Sequence, residues 1–172
     1  MKVAKVLATD AKALSELATR TFVATFGSSN TPTDMSKYLD ESLSEPAVKR
    51  QLEDNKNTFL WAQDAEGTPV GYAKFRRGIP NICVTGPRPV ELERLYVEPE
   101  LIGTGVGNIL LRNVMDKTHT EGFQTLWLGV WEHNPRAIQF YKRRGFVEVG
   151  AHTFQLGEDN QSDLIMQLTT VN

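Results

Sequence analysis

The stretch Ile102-Gly103-Thr104-Gly105-Val106-Gly107 constrains this chain more than any other. Before it, Val90 to Val97 reads as a strand. After it, Val106, Ile109, Leu110 and Val114 recur at helical spacing from about Gly105 to Thr120. A strand, a glycine turn and a helix in succession form one half of a layered α/β unit. Glycine lets backbone amides approach a bound group closely and tolerates positive φ. The amides of the helix's first turn point to the same place, and with the helix dipole they suit phosphate oxygens. No carboxylate interrupts residues 102 to 107. The run is therefore either a tight connection or an anion site. It is not a nucleoside-triphosphate loop, since no Gly-Lys-Ser or Gly-Lys-Thr follows. The dinucleotide fingerprint also fits poorly, because these glycines alternate and lie late in the element order.

The surrounding pattern extends the same architecture. Residues 2 to 7 read as a short edge strand. Leu14, Leu17, Ala18, Phe22 and Phe26 form a helical stripe behind a Thr9 or Asp10 cap. Thr33 or Asp34 opens a second helix. Ser44-Glu45-Pro46 opens another that runs to about Asp54. Asn57 to Gln63 and Val70 to Arg76 read as a hairpin, and residues 77 to 90 as a loop rich in proline and glycine. Thr125 to Val130 is apolar on both faces, as a central strand is. A short helix at Asn134 to Arg143 precedes closing strands at 146 to 155 and 163 to 168, joined by a polar turn at Gly157 to Gln161. A central mixed sheet with helices on both faces is the packing that this α/β order predicts, in a single domain over 1–172.

Composition narrows the function classes. Nineteen Lys and Arg against 21 Asp and Glu give a net charge of -2, which argues against a dedicated nucleic-acid partner. No stretch approaches the ~20 apolar residues of a membrane span, and the start carries no signal-peptide run. A cytoplasmic location is the expectation. The lone Cys83 forms no internal disulfide and lies without a basic neighbour in sequence. His119, His133 and His152 have no mutual ligand spacing, so no metal site is expected.

Several polar residues sit near the expected centre. With period two, Glu91 and Glu93 share a face with Leu95 and Val97. A carboxylate there has either a raised pKa in a cleft, which suits a general base, or an arginine partner such as Arg94 or Arg88. Asn134 caps the short helix with Pro135 in its first turn, and its side chain is also placed to bond a ligand amide. Ala137, Ile138, Tyr141 and Arg144 recur three or four apart. Phe140 and Tyr141 are expected on different sides, one in the core and one in the cleft. Tyr141 is either a packed ring or a proton donor to a leaving group. Lys142, Arg143 and Arg144 form a basic run that is either solvated or in contact with a phosphate-bearing ligand.

These residues carry a family resemblance. ELERLYVEPELIGTGVGNILLRNVMD at 91 to 116 and WLGVWEHNPRAIQFYKRRGFVEVG at 127 to 150 resemble the two main motifs of the GNAT superfamily of N-acetyltransferases, which use acetyl-CoA. The resemblance implies a sheet splayed between residues 90–97 and 125–130. Pantetheine would lie in that gap against Leu95, Tyr96 and Val97. Pyrophosphate would rest on amides from Ile102, Gly103, Thr104, Gly105, Val106, Gly107 and Asn108. Asn134, Ala137, Phe140, Lys142 and Arg144 would complete the cosubstrate site. Glu93 would be the base, directly or through water, and Tyr141 the acid. Where the family commonly has Gln or Arg, this chain has Ile102; Arg112 and Asn108 are the candidates to compensate.

The chain also resembles the PaiA-like spermine and spermidine N-acetyltransferases, in TFVATFGSSNTPTDMSKYL, WLGVWEHN and GAHTFQLGEDNQSDLIM. That implies a polyamine acceptor, with Asp34, Asp40, Glu41 and Glu45 set among Phe22, Phe26, Met35 and Tyr38 as one wall of its cleft. Another small amine or a protein N-terminus is the alternative, as is a regulatory module that binds acyl-CoA with little turnover. A homodimer through the closing strands is a further expectation from the family.

Overall fold

A computed structural model describes residues 1–156 and 158–170. Seven strands form one sheet: β1 (Lys2–Lys5), β2 (Asn57–Gln63), β3 (Pro69–Arg76), β4 (Pro89–Val97), β5 (Thr125–Trp131), β6 (Val147–Leu156) and β7 (Asp159–Thr169). Their spatial order is β1-β2-β3-β4-β5-β7-β6. Only the β4–β5 pair is parallel; the other neighbours are antiparallel.

Five helices cover the sheet: α1 (Ala11–Phe26), α2 (Pro32–Tyr38), α3 (Glu45–Glu53), α4 (Val106–Thr120) and α5 (Pro135–Lys142). Thr31, not Thr33 or Asp34, opens α2. Its hydroxyl accepts from the Asp34 amide, and Pro32 takes the first position, where its missing N–H is harmless. Alternation along the strands assigns the two faces. Phe59, Trp61 and Tyr72 pack with Leu14, Leu17 and Phe22 of α1 and Val48 of α3. Leu60, Ala73 and Phe75 pack with Leu111 and Val114 of α4 and with Tyr141 of α5. Helices therefore lie on both faces, as the pattern predicts. The closing hairpin is longer than expected, with β7 starting at Asp159. Gly157, with which the expected turn begins, lies outside the described residues.

Two irregularities place the site. First, the register between β3 and β4 shifts between Lys74 and Phe75, so Lys74 faces Arg94 while Phe75 faces Leu92. Glu93 is the extra residue of a β-bulge. An extra residue inverts the alternation beyond it. Val90 and Leu92 pack on the α4 side, and so do Leu95 and Val97. The expected common face of Glu91 and Glu93 with Leu95 and Val97 is thus corrected: both carboxylates reach Arg76 instead. Second, β4 pairs with β5 only from Pro89 to Glu91. Beyond Leu92 the strands part, and a groove runs through the gap.

Candidate active site

The groove has a wide and a narrow part, joined by Leu95, Tyr96, Asn134, Ala137 and Tyr141. The wide part holds about 660 Å³ and the narrow chamber about 140 Å³.

The wide part is built from the glycine loop and α5. Gly103 and Gly105 have φ of +87° and +101°, a region that residues with a Cβ enter only at a cost of about 1–2 kcal/mol. Gly105 caps α4, and its carbonyl accepts from Ile109 N at 3.0 Å. A helix leaves the N–H groups of its first turn without intrahelical acceptors, which here sets the amides of Val106, Gly107 and Asn108 at the loop. The side chain of Val106 is buried in the core, and Thr104 turns its hydroxyl back to Leu101 O at 2.7 Å. These two residues can offer only backbone. Ile102 and Asn108 line the cavity.

The basic residues differ in part from expectation. Arg136, Arg143 and Arg144 line the wide part, whereas Lys142 does not. Lys142 ends α5 exposed to solvent, away from the cavity. Arg112 is exposed and does not line the cavity, so it is no substitute for the glutamine or arginine that Ile102 replaces. Arg144 donates to Asn108 Oδ1 at 2.9 Å and to Phe140 O at 2.7 Å, and its guanidinium lies 3.7 Å from the Phe140 ring centroid. It therefore holds α4 to α5. Among the described residues no carboxylate lines this part of the groove.

At the junction, Asn134 Oδ1 accepts from Ala137 N at 3.1 Å, the expected cap. Phe140 and Tyr141 do not diverge; both line the groove, with rings edge to face at 5.1 Å. Burial pushes the Tyr141 phenol up, and Arg144 offsets this only in part. The phenol thus stays protonated at neutral pH and is available as a donor.

The chamber has an aromatic wall, a charged floor and a far side. Phe22, Phe26 and Tyr38 line the wall. Phe22 stacks on Tyr38 at 4.4 Å, and Phe26 meets Trp131 of β5 at 5.6 Å. In the floor, Lys74 contacts Glu93, Arg76 contacts Glu91, and Arg76 Nη1 lies 3.4 Å from Glu93 Oε1. Burial raises the Glu93 carboxyl, but Arg94, Lys74 and Arg76 outweigh it and hold the group below the usual carboxylate range. Of the two alternatives for Glu93, a raised pKa in a cleft or a cationic partner, the structure shows the second, with Arg94 among the partners. Burial also draws Lys74 down to about 8, with Arg94 adding to the effect and Glu93 opposing it. Of this ion-pair network, Glu93 and Arg94 line the chamber and Lys74, Arg76 and Glu91 lie behind them.

The acidic wall expected from α2 and its neighbours is absent from the chamber. Asp40, Glu41 and Glu45 are exposed elsewhere, and Asp34 Oδ1 accepts from Glu158 N at 3.0 Å. The carboxylate that sequence reasoning missed is Asp163 of β7, which lines the chamber's far side. Its place depends on the β5–β7 register, which pairs it with Trp131, and no local motif announces that pairing. Among the described residues no cluster of His, Cys, Asp and Glu could hold a metal ion, and no helix is long and apolar enough to cross a membrane.

A sheet splayed beside a bulged strand, with a glycine loop feeding a helix, defines a class of acyl-transfer folds. The sequence pattern of the acetyltransferase (GNAT) family matches residues 12–146, and the chain belongs to that family. The family is one of acetyltransferases. An uncharacterized N-acetyltransferase of Lactobacillus delbrueckii subsp. lactis is 30% identical over 99% of this chain and 98% of its own length. The streptothricin acetyltransferase of Streptomyces lavendulae is 32% identical over 66% of this chain and 57% of its own. A crystal structure of a PaiA N-acetyltransferase from Thermoplasma acidophilum in complex with coenzyme A shares the fold, with a TM-score of 0.78 at 21% identity over 98% of each chain.

Proposed function

We propose that this enzyme acetylates an amine carrying a single ammonium on an apolar or aromatic body, or a protein N-terminus, in preference to a polyamine. One observation carries this reading: of the two carboxylates among the described residues that line the chamber, Glu93 is paired with Lys74 and Arg76, which leaves Asp163 alone to meet an ammonium. A polycation would find one unpaired carboxylate for several charges, while the aromatic wall suits a compact apolar group with one charge. The polyamine reading came from the resemblance of three segments, and the four carboxylates expected to serve it do not line the chamber. That one relative is named for streptothricin is consistent with varied acceptors across the family.

In this reading the wide part holds acetyl-CoA, which supplies an activated acyl group. The amides from Gly103 to Asn108 take the pyrophosphate, and Arg136, Arg143 and Arg144 neutralise it in place of a side chain at position 102. An amide of the parted strand, at Leu95 or Tyr96, polarises the acyl carbonyl. Tyr141 protonates the leaving thiolate. Glu93 belongs to the ion-pair floor; the cations that lower its pKa make it a poor direct base.

Thermal unfolding with acetyl-CoA and with NAD tests the cosubstrate assignment, and acetyl-CoA is expected to protect more. A CoA-release assay over aromatic monoamines, amino acids, N-terminal peptides, spermidine and spermine tests the acceptor. A kcat/KM for spermidine or spermine above that of every other amine would restore the polycation reading. Tight CoA binding without release on any amine would favour the regulatory one.

A further inference from the structure

The fold brings a second carboxylate to the chamber that Tyr141 also lines, and we propose that Asp163 is the catalytic base: it receives the acceptor's ammonium and takes its proton. The proposal rests on the acceptor reading above and names the group that makes such an acceptor reactive.

Position is the first argument. Asp163 faces the chamber from β7, with Glu93 and Arg94 on the opposite strand, and Tyr141 of α5 lines the same chamber. Its carboxylate lies across β5 at Gly129, where a Cβ would stand only 3.1 Å from Oδ2. Gly129 lines the chamber as well. A glycine at that position of a central strand costs strand stability. Here it makes room for the Asp163 carboxylate and for the His152 ring, whose Cε1 would stand 3.3 Å from that Cβ, beside the open seam between β4 and β5.

Electrostatics is the second. Glu93 is already neutralised by Lys74 and Arg76. Asp163 is half-buried, and the charges that act on it are His152 of β6 and Glu132 at the end of β5. Burial pushes its carboxyl above the usual aspartate range, with Glu132 adding and His152 opposing. A carboxylate of higher pKa is the stronger base. An ammonium arriving against the aromatic wall finds it as the open anion.

The proton balance is complete. The ammonium gives one proton to Asp163, and the freed nitrogen pair forms the N–C bond at the acyl carbon. The C–S bond breaks, and the thiolate takes the Tyr141 proton. The second nitrogen proton leaves through water, from which Tyr141 is reprotonated, and Asp163 returns its proton to solvent.

The test compares wild type, Asp163→Asn, Asp163→Glu and Glu93→Gln, using the best amine of the panel and acetyl-CoA. Asp163→Asn is expected to lower kcat/KM by about 100-fold or more while CoA protects it in thermal unfolding as it does wild type. Its defect should shrink as pH rises, because the free amine then forms without a base, and Asp163→Glu should recover part of the rate. Glu93→Gln should keep the acid limb of the wild-type pH profile. A kcat/KM of Asp163→Asn within twofold of wild type with an unchanged profile would overturn the proposal, as would loss of the acid limb in Glu93→Gln alone. If wild type acetylates no amine, the acceptor reading fails by itself. Calorimetric binding of 2-phenylethylamine to the CoA complex then decides for Asp163. Weaker binding in Asp163→Asn supports its contact with the ammonium, and equal binding overturns it.

Discussion

Two walls of one small chamber treat a carboxylate in opposite ways. On β4, Glu93 protrudes at a bulge into a nest of Arg94, Lys74 and Arg76 and is held ionised. On β7, Asp163 lies over Gly129 with His152 nearby, and burial holds it closer to neutrality. The difference teaches that a carboxylate's chemistry is set by what faces it across the sheet. By sequence Glu93 is the more conspicuous candidate, since it stands on the strand before the glycine loop. By environment it is a structural ion, and Asp163 has the properties of a base.

Several measurements would break or sharpen this contrast. The largest expected effect lies where both walls depend on the same partner. Tyr141→Phe should lower kcat by about 100-fold with CoA binding retained; unchanged turnover would remove Tyr141 as the acid. Next is Gly129→Ala, which keeps every functional group but crowds Asp163 Oδ2. A roughly tenfold loss of kcat/KM is expected, within the range by which a misplaced group slows reaction. Wild-type kinetics would show that the seat of Asp163 does not matter.

Stability offers the reverse test. Glu93→Gln leaves Lys74 and Arg76 without their shared anion and should lower stability at neutral pH by roughly 3 kcal/mol, at the low end for breaking a buried pair. A folded pKa below the unfolded one stabilises above the ordinary carboxylate range, and this is lost as pH falls through the folded pKa. The deficit of Glu93→Gln should therefore shrink in acid. Asp163 has the opposite sign. Its folded pKa is raised, so its contribution is most favourable in acid and is lost as pH rises through the folded pKa. Asp163→Asn should accordingly melt at or slightly above the wild-type temperature at neutral pH, with the smallest shift of the set. A clear loss of stability there would show Asp163 to be a structural residue, contrary to a site that trades stability for activity.

Much of the cosubstrate end was legible in the residues. The run from Ile102 to Gly107, the Asn134 cap and the Tyr141 stripe are local patterns, and local backbone geometry realises them. Lys142 shows the limit of this. A basic run names three neighbours, but a helix of 3.6 residues per turn aims only some of them at one cavity. The acceptor end was far less legible. Its aromatic wall was foreseen, but the carboxylates of residues 34 to 45 face elsewhere, and the β4 bulge inverts the alternation on which the Glu93 reading depended.

The sequence by itself determined the layered α/β order, the glycine turn into α4 and the capped helix that carries Tyr141. Each follows from φ preferences, capping and periodicity within about ten residues. Only the tertiary structure decided where β4 leaves β5, which cations surround Glu93, and that Asp163 crosses Gly129 to reach the chamber. Those outcomes depend on strand register between residues 15 to 44 apart in sequence. Register is fixed by the packing of both faces of the sheet at once.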